Sequence, residues 1–79
     1  MLVARRYVML DYDCPNDLLA RATAITPGLE GPTVSPLHTP GWSAVRAMVG
    51  KDDTNRVMDD LYELGARAIL VTSIAASRI

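Results

Sequence analysis

The stretch Arg5-Arg6-Tyr7-Val8-Met9-Leu10-Asp11-Tyr12-Asp13 alternates, with Val8, Leu10 and Tyr12 on one side and Tyr7, Met9, Asp11 and Asp13 on the other. A period of two is that of a β-strand. The residues after it break the pattern. Cys14-Pro15-Asn16-Asp17 predicts the opening of a helix, with Pro15 in its first turn and Asp17 where the positive end of the helix dipole favours an anion. Leu18, Leu19, Ala22 and Ile25 then form one apolar stripe, and Thr26-Pro27-Gly28 stops it.

Working outward, the segment from Pro27 to Gly41 holds all but one of the five prolines and three of the five glycines, which predicts a long loop with one short strand around Thr33-Val34-Ser35. Trp42 to Val49 alternates again, Val45, Ala47 and Val49 against Trp42, Ala44, Arg46 and Met48, and Gly50 ends it. Asp52 and Asp53 start a second helix, Val57, Met58, Leu61 and Leu64 are its buried stripe, and Gly65 is its cap. Arg67 to Ile74 is the last strand. The order β-α-β-β-α-β predicts an α+β, ferredoxin-like fold: a four-stranded antiparallel sheet with both helices on one face.

The sheet is expected to be apolar on both faces. With Val8, Leu10, Val45, Val49, Ile69 and Val71 toward the helices, the other face carries Met9, Trp42, Met48, Ala68, Leu70 and Ile74. A sheet face turned to water should alternate with polar residues. The absence of that alternation points to a second chain or domain covering the open face.

Composition bounds the rest. Seventy-nine residues, 49% apolar and 22% charged, make a single small globular domain over residues 1–79. A chain of this size buries only about 60% of its unfolded surface, so a stabilising partner is expected. Eight basic against nine acidic residues give a net charge of −1, which argues against nucleic acid as a partner. The apolar run Ala68-Ile69-Leu70-Val71 is far too short for a membrane span, and the N-terminal residues do not read as a signal peptide. A cytoplasmic location is expected, with no membrane partner.

The inventory for catalysis is thin. His38, in the Pro-rich loop, is the single histidine, and Cys14 the single thiol. Cys14 has two readings: a thiol activated by a helix start, or a small buried residue at a strand-to-helix junction, the second being preferred. Asp11 and Asp13 share a strand face as a weak metal pair, or are solvent-exposed with Asp13 capping a helix. Asp52-Asp53 and Asp59-Asp60 are helix-start and solvated charges. Pro27-Gly28-Leu29-Glu30-Gly31 lacks the lysine and the following helix of a phosphate loop. Composition and spacing argue against an enzyme.

The loop Pro27-Gly28-Leu29-Glu30-Gly31-Pro32-Thr33-Val34-Ser35-Pro36-Leu37 with Trp42, the segment Leu64-Gly65-Ala66 leading into Ala68-Ile69-Leu70-Val71, and Tyr7 to Asp13 together resemble one family. They are similar to the C-terminal regulatory domain of the long form of ATP phosphoribosyltransferase, especially its actinobacterial members, over essentially the whole chain. The resemblance implies a fold related to the PII signalling proteins. It implies an enzyme of the first step of histidine biosynthesis, which joins ATP to phosphoribosyl pyrophosphate with magnesium in two catalytic domains that precede this one. L-histidine is the implied ligand and feedback inhibitor. A hexamer is the implied assembly, with these domains in homo-oligomeric contact around its threefold axis.

By the same resemblance the histidine site is Asp13 at the end of the first strand, Leu29 and Thr33 in the loop, and Ala68 at the start of the last strand, and Met48 joins it as a residue of the same open face. Asp13 would take the ammonium group, and Thr33 with its loop the carboxylate. Asp13, Met48 and Ala68 share the open face, where a neighbouring chain would complete the pocket. One position and one loop depart from the family pattern: Gly31 stands where a serine is common, which bears on ligand affinity, and His38-Thr39-Pro40-Gly41 replaces an acidic loop. The catalytic domains are absent from these residues, so no reaction and no cofactor are expected of the chain itself. Met1 is read as a start set at a domain boundary. The alternative is an oligomerisation module that assembles through the open face without sensing a ligand.

Overall fold

A computed structural model describes residues 7–27 and 31–74. The first alternating stretch is strand β1, Tyr7–Pro15, with Val8, Leu10, Tyr12 and Cys14 buried and the residues between them half-buried. It runs two residues further than its alternation predicts: Pro15 ends the strand in an extended conformation, and the helical path begins with a 3-10 turn at Asn16–Leu18. Proline fixes φ without forbidding extended ψ, so it serves the strand's last position as well as a first helical turn. Helix α1, Leu19–Ile25, follows and ends at Thr26. The junction is tied to the chain beside it in register, around Trp42, which pairs with Pro15: Asn16 donates its backbone N–H to Gly41 at 2.8 Å and Ser43 Oγ donates to Asn16 Oδ1 at 2.6 Å.

Strand β2, Thr33–Pro36, lies in the proline-rich loop, and β3, Trp42–Gly50, repeats the alternation of β1. A 3-10 turn at Lys51–Asp53 leads into helix α2, Thr54–Leu64, and strand β4 is Arg67–Ser73. All pairings are antiparallel, in the order β2-β3-β1-β4. This is the ferredoxin-like α+β arrangement, its helices packed on one face of the sheet.

The core lies between that face and the helices. Val8, Leu10, Tyr12, Cys14, Val45 and Val49 from the two central strands meet Ala22 of α1 and Val57 and Leu61 of α2. Leu10 and Leu61 have no exposure at all. Each such leucine contributes about 1.5–3 kcal/mol from burial. Leu18, Leu19, Ile25, Met58, Leu64 and Ile69 pack around the rim.

One residue departs from its expected face environment. Val71, expected under the helices, is 40% exposed. Strand β4 is a sheet edge with a neighbour on one side only, and Ile69 is the β4 residue that packs against the core. Ile74 falls just past the strand. No helix of the described residues is long and apolar enough to cross a membrane.

Candidate ligand-binding site on the open sheet face

Register places the open-face side chains in rows across the strands. One row reads Thr33, Arg46, Asp11, Leu70 from β2 to β4, and the next reads Ser35, Ala44, Asp13, Arg67. The pairing of β1 with β4 slips between Asp11 and Asp13, so Ala68 and Ile69 together oppose Tyr12 as a bulge. Ala68 there takes φ 55°, the left-handed region. A bulge of this kind bends the edge strand and re-aims its side chains.

The two rows and the bulge enclose an open cleft of about 390 Å³, lined by Asp11, Asp13, Thr33, Ser35, Ala44, Arg46, Ala68 and Leu70 among others. That is within the range of about 300–1,000 Å³ that small ligands occupy. Its charges are arranged unevenly. Arg46 Nε donates to Asp11 Oδ1 at 2.8 Å. The hydrogen bond to Asp11, and then its charge, raise the Arg46 pKa, so the guanidinium stays charged. Asp13 has no ion-pair partner among the described residues, because the cation opposite it in register turns away: Arg67 lies over the Tyr62 ring, 4.6 Å from its centroid, and donates to the Ala66 carbonyl at 2.7 Å.

The cleft therefore offers a paired cation, a carboxylate without an ion pair among the described residues, two hydroxyls and an apolar side formed by Ala44, Ala68 and Leu70. It contains no histidine or cysteine, and neither hydroxyl is hydrogen-bonded to a base among the described residues. Groups of these kinds are the ones that hydrogen-bond and ion-pair with small polar molecules, and among the described residues neither hydroxyl is set against a base. A model of the family described as HisG, C-terminal domain, matches residues 4–76. The chain belongs to that family.

Three similar proteins carry the same name. The chain is 67% identical over all 79 residues to an ATP phosphoribosyltransferase of Salinispora tropica, 65% to that of Streptomyces coelicolor and 66% to that of Kocuria rhizophila. In each case it spans 28% of the relative's length.

Of the positions that the resemblance to this family marks, Asp13, Thr33 and Ala68 come together in the cleft. Met48 shares the open face but sits opposite Met9, two rows from Asp13, and lines a separate depression with Tyr7 and Gly50. Leu29 lies outside the described residues. Gly31 is exposed with φ 96°. His38 is exposed in the turn between β2 and β3, away from the cleft.

Cys14 points into the core with no exposure. Burial, and then the Asp17 charge, raise its pKa, the opposite of an activated thiol. Asp11 and Asp13 do share a face, but Arg46 occupies the Asp11 carboxylate, and no group of three or more metal-binding side chains occurs among the described residues. Sequence reasoning assigned no role to Arg46. The signal lay in the two central strands: opposite charges on the same face of two stretches that pair antiparallel.

Proposed function

We propose that the chain is the histidine-sensing regulatory domain of an ATP phosphoribosyltransferase, a cytoplasmic enzyme of histidine biosynthesis whose catalysis and magnesium belong to other domains. The observation that carries this is the cleft that groups Asp13, Thr33 and Ala68 on a sheet face the helices leave open. The identity of 67% to a protein of that name supplies the enzyme.

In mechanism, Asp13 takes the α-ammonium group of L-histidine in a charge-assisted hydrogen bond. The hydroxyls of Thr33 and Ser35 face the carboxylate side. A neighbouring copy covers the cleft, within a threefold contact of a hexameric parent. Histidine inhibits by binding one arrangement of the assembly more tightly than the other, since equal affinity would shift nothing.

Calorimetric titration of L-histidine into the purified chain, beside Asp13→Ala, tests this. Saturable heat that Asp13→Ala abolishes is the expected result. No heat from either protein overturns histidine sensing by the chain. A second reading, assembly through the open face without a ligand, is favoured by Leu70, which is 64% exposed there. It expects self-association that neither histidine nor Asp13→Ala alters.

A further inference from the structure

We propose that Arg46 binds the carboxylate of an α-amino acid in the cleft, and that Asp11 is the residue that positions it. The inference rests on the amino-acid reading above and adds to it the group that selects a zwitterion over an amine.

Arg46 commits only one edge of its guanidinium. Nε donates to Asp11, and this is the one hydrogen bond the side chain makes among the described residues. The two terminal nitrogens remain as a planar pair of donors on a side chain that is 62% exposed. That fork matches the two oxygens of a carboxylate, where a lysine would offer a point charge. Asp11 holds the long side chain in place before a ligand arrives, which lowers the ordering cost of binding.

Position makes the pairing specific. Asp13 and Arg46 are diagonal neighbours on adjacent strands, since Asp13 faces Ala44 and Asp11 faces Arg46. Diagonal positions on one face stand about 7–8 Å apart at the backbone, within reach of long side chains. An α-amino acid carries its two charges on substituents of a single carbon, so a carboxylate and a guanidinium on neighbouring rows can each take one of them through a hydrogen bond of about 2.9 Å. Thr33, directly opposite Arg46 on β2, places a hydroxyl beside the same carboxylate. Without Arg46 the cleft would carry two carboxylates and favour any amine.

The test compares L-histidine with histamine, which lacks the carboxylate, on the wild-type chain, Arg46→Ala and Arg46→Lys, by calorimetry. Wild type should bind histidine about 10- to 100-fold more tightly than histamine, the usual worth of a charge-assisted pair. Arg46→Ala should lose that preference while keeping or improving histamine affinity, and Arg46→Lys should fall between. Equal loss of both ligands in Arg46→Ala, or no loss of histidine, overturns the role of Arg46 and leaves histidine sensing standing. If wild type gives no heat with histidine, the same variants are titrated with glycine, leucine and glutamine. Binding of one of these that Arg46→Ala abolishes keeps Arg46 and removes histidine as the ligand; no binding of any overturns both.

Discussion

Tyr12 and Thr26 share a hydrogen bond of 2.8 Å between the middle of β1 and the end of α1, and neither residue is more than 1% exposed. Thr26 Oγ1 also lies 3.2 Å from the Ala22 carbonyl and donates to it, which leaves the Tyr12 hydroxyl as donor to Thr26. The chain Tyr12, Thr26, Ala22 thus satisfies the polar atoms of the core's largest side chain at the point where the helix ends.

Removing either end has unequal cost. Thr26→Val strands a buried tyrosine hydroxyl and should destabilise by about 1–3 kcal/mol. Tyr12→Phe leaves Thr26 still bonded to Ala22 and should cost about 0.5–1.5 kcal/mol. The double variant should cost less than the two added, because the pair acts together. Urea denaturation of the four proteins measures all three quantities. A Thr26→Val loss smaller than that of Tyr12→Phe would show the hydroxyl to be satisfied elsewhere.

Stability should fall in base. Burial is the main cause that raises both Cys14 and Tyr12 above their ordinary values of 9.0 and 10.0. The folded chain therefore holds these protons to higher pH than the unfolded chain does. Their contribution is complete below about pH 9 and is lost as pH rises through the raised values. The urea midpoint should hold near neutral pH and decline above about pH 9. Cys14→Ala should remove the earlier part of the decline and Tyr12→Phe the later. A midpoint level to pH 11 would contradict the burial of both groups.

The fold was legible because its elements announce themselves one at a time. Val8, Leu10 and Tyr12, then Val45, Ala47 and Val49, give two strands with a defined buried face, and Gly65 marks where α2 stops. Relations between elements were less legible. Alternation assigns Val71 to the helix face, but only the strand order makes β4 an edge that leaves it exposed. The cleft shows the same division. Asp13, Thr33 and Ala68 came from family resemblance. Pairing of Arg46 with Asp11 depends on a register between residues 35 positions apart, which no local pattern states. The bulge that turns Ala68 toward the cleft is likewise invisible in an uninterrupted apolar run.

Gly65 closes α2 through left-handed backbone. At φ 128° its N–H reaches the carbonyls of Leu61 and Tyr62 at 3.1 and 3.2 Å, and Ala66 N–H reaches Leu61 at 2.9 Å. An added Cβ would lie 3.0 Å from Leu18 Cδ1. Gly65→Ala should therefore cost about 1–2 kcal/mol from backbone alone, with some further loss from displacing Leu18. Thermal and urea unfolding measure this, and a neutral result would mean that the cap can relax to negative φ.

Ala68 presents the opposite case, a side chain where glycine would be at ease. Its φ of 55° costs an L-residue about 1–2 kcal/mol. Glycine relieves that cost but loses about 0.5–1 kcal/mol through greater freedom in the unfolded chain. Ala68→Gly should thus be neutral or stabilising by up to about 1 kcal/mol, whereas the same change in an ordinary strand destabilises. Ala68→Val should lose about 1–3 kcal/mol, because a β-branched residue fits this region worst. The pair of urea midpoints decides whether the bulge is held by strain. If Ala68→Gly destabilises and Ala68→Val does not, the strand passes this position in ordinary extended backbone and the cleft loses the bend that brings Ala68 beside Asp13.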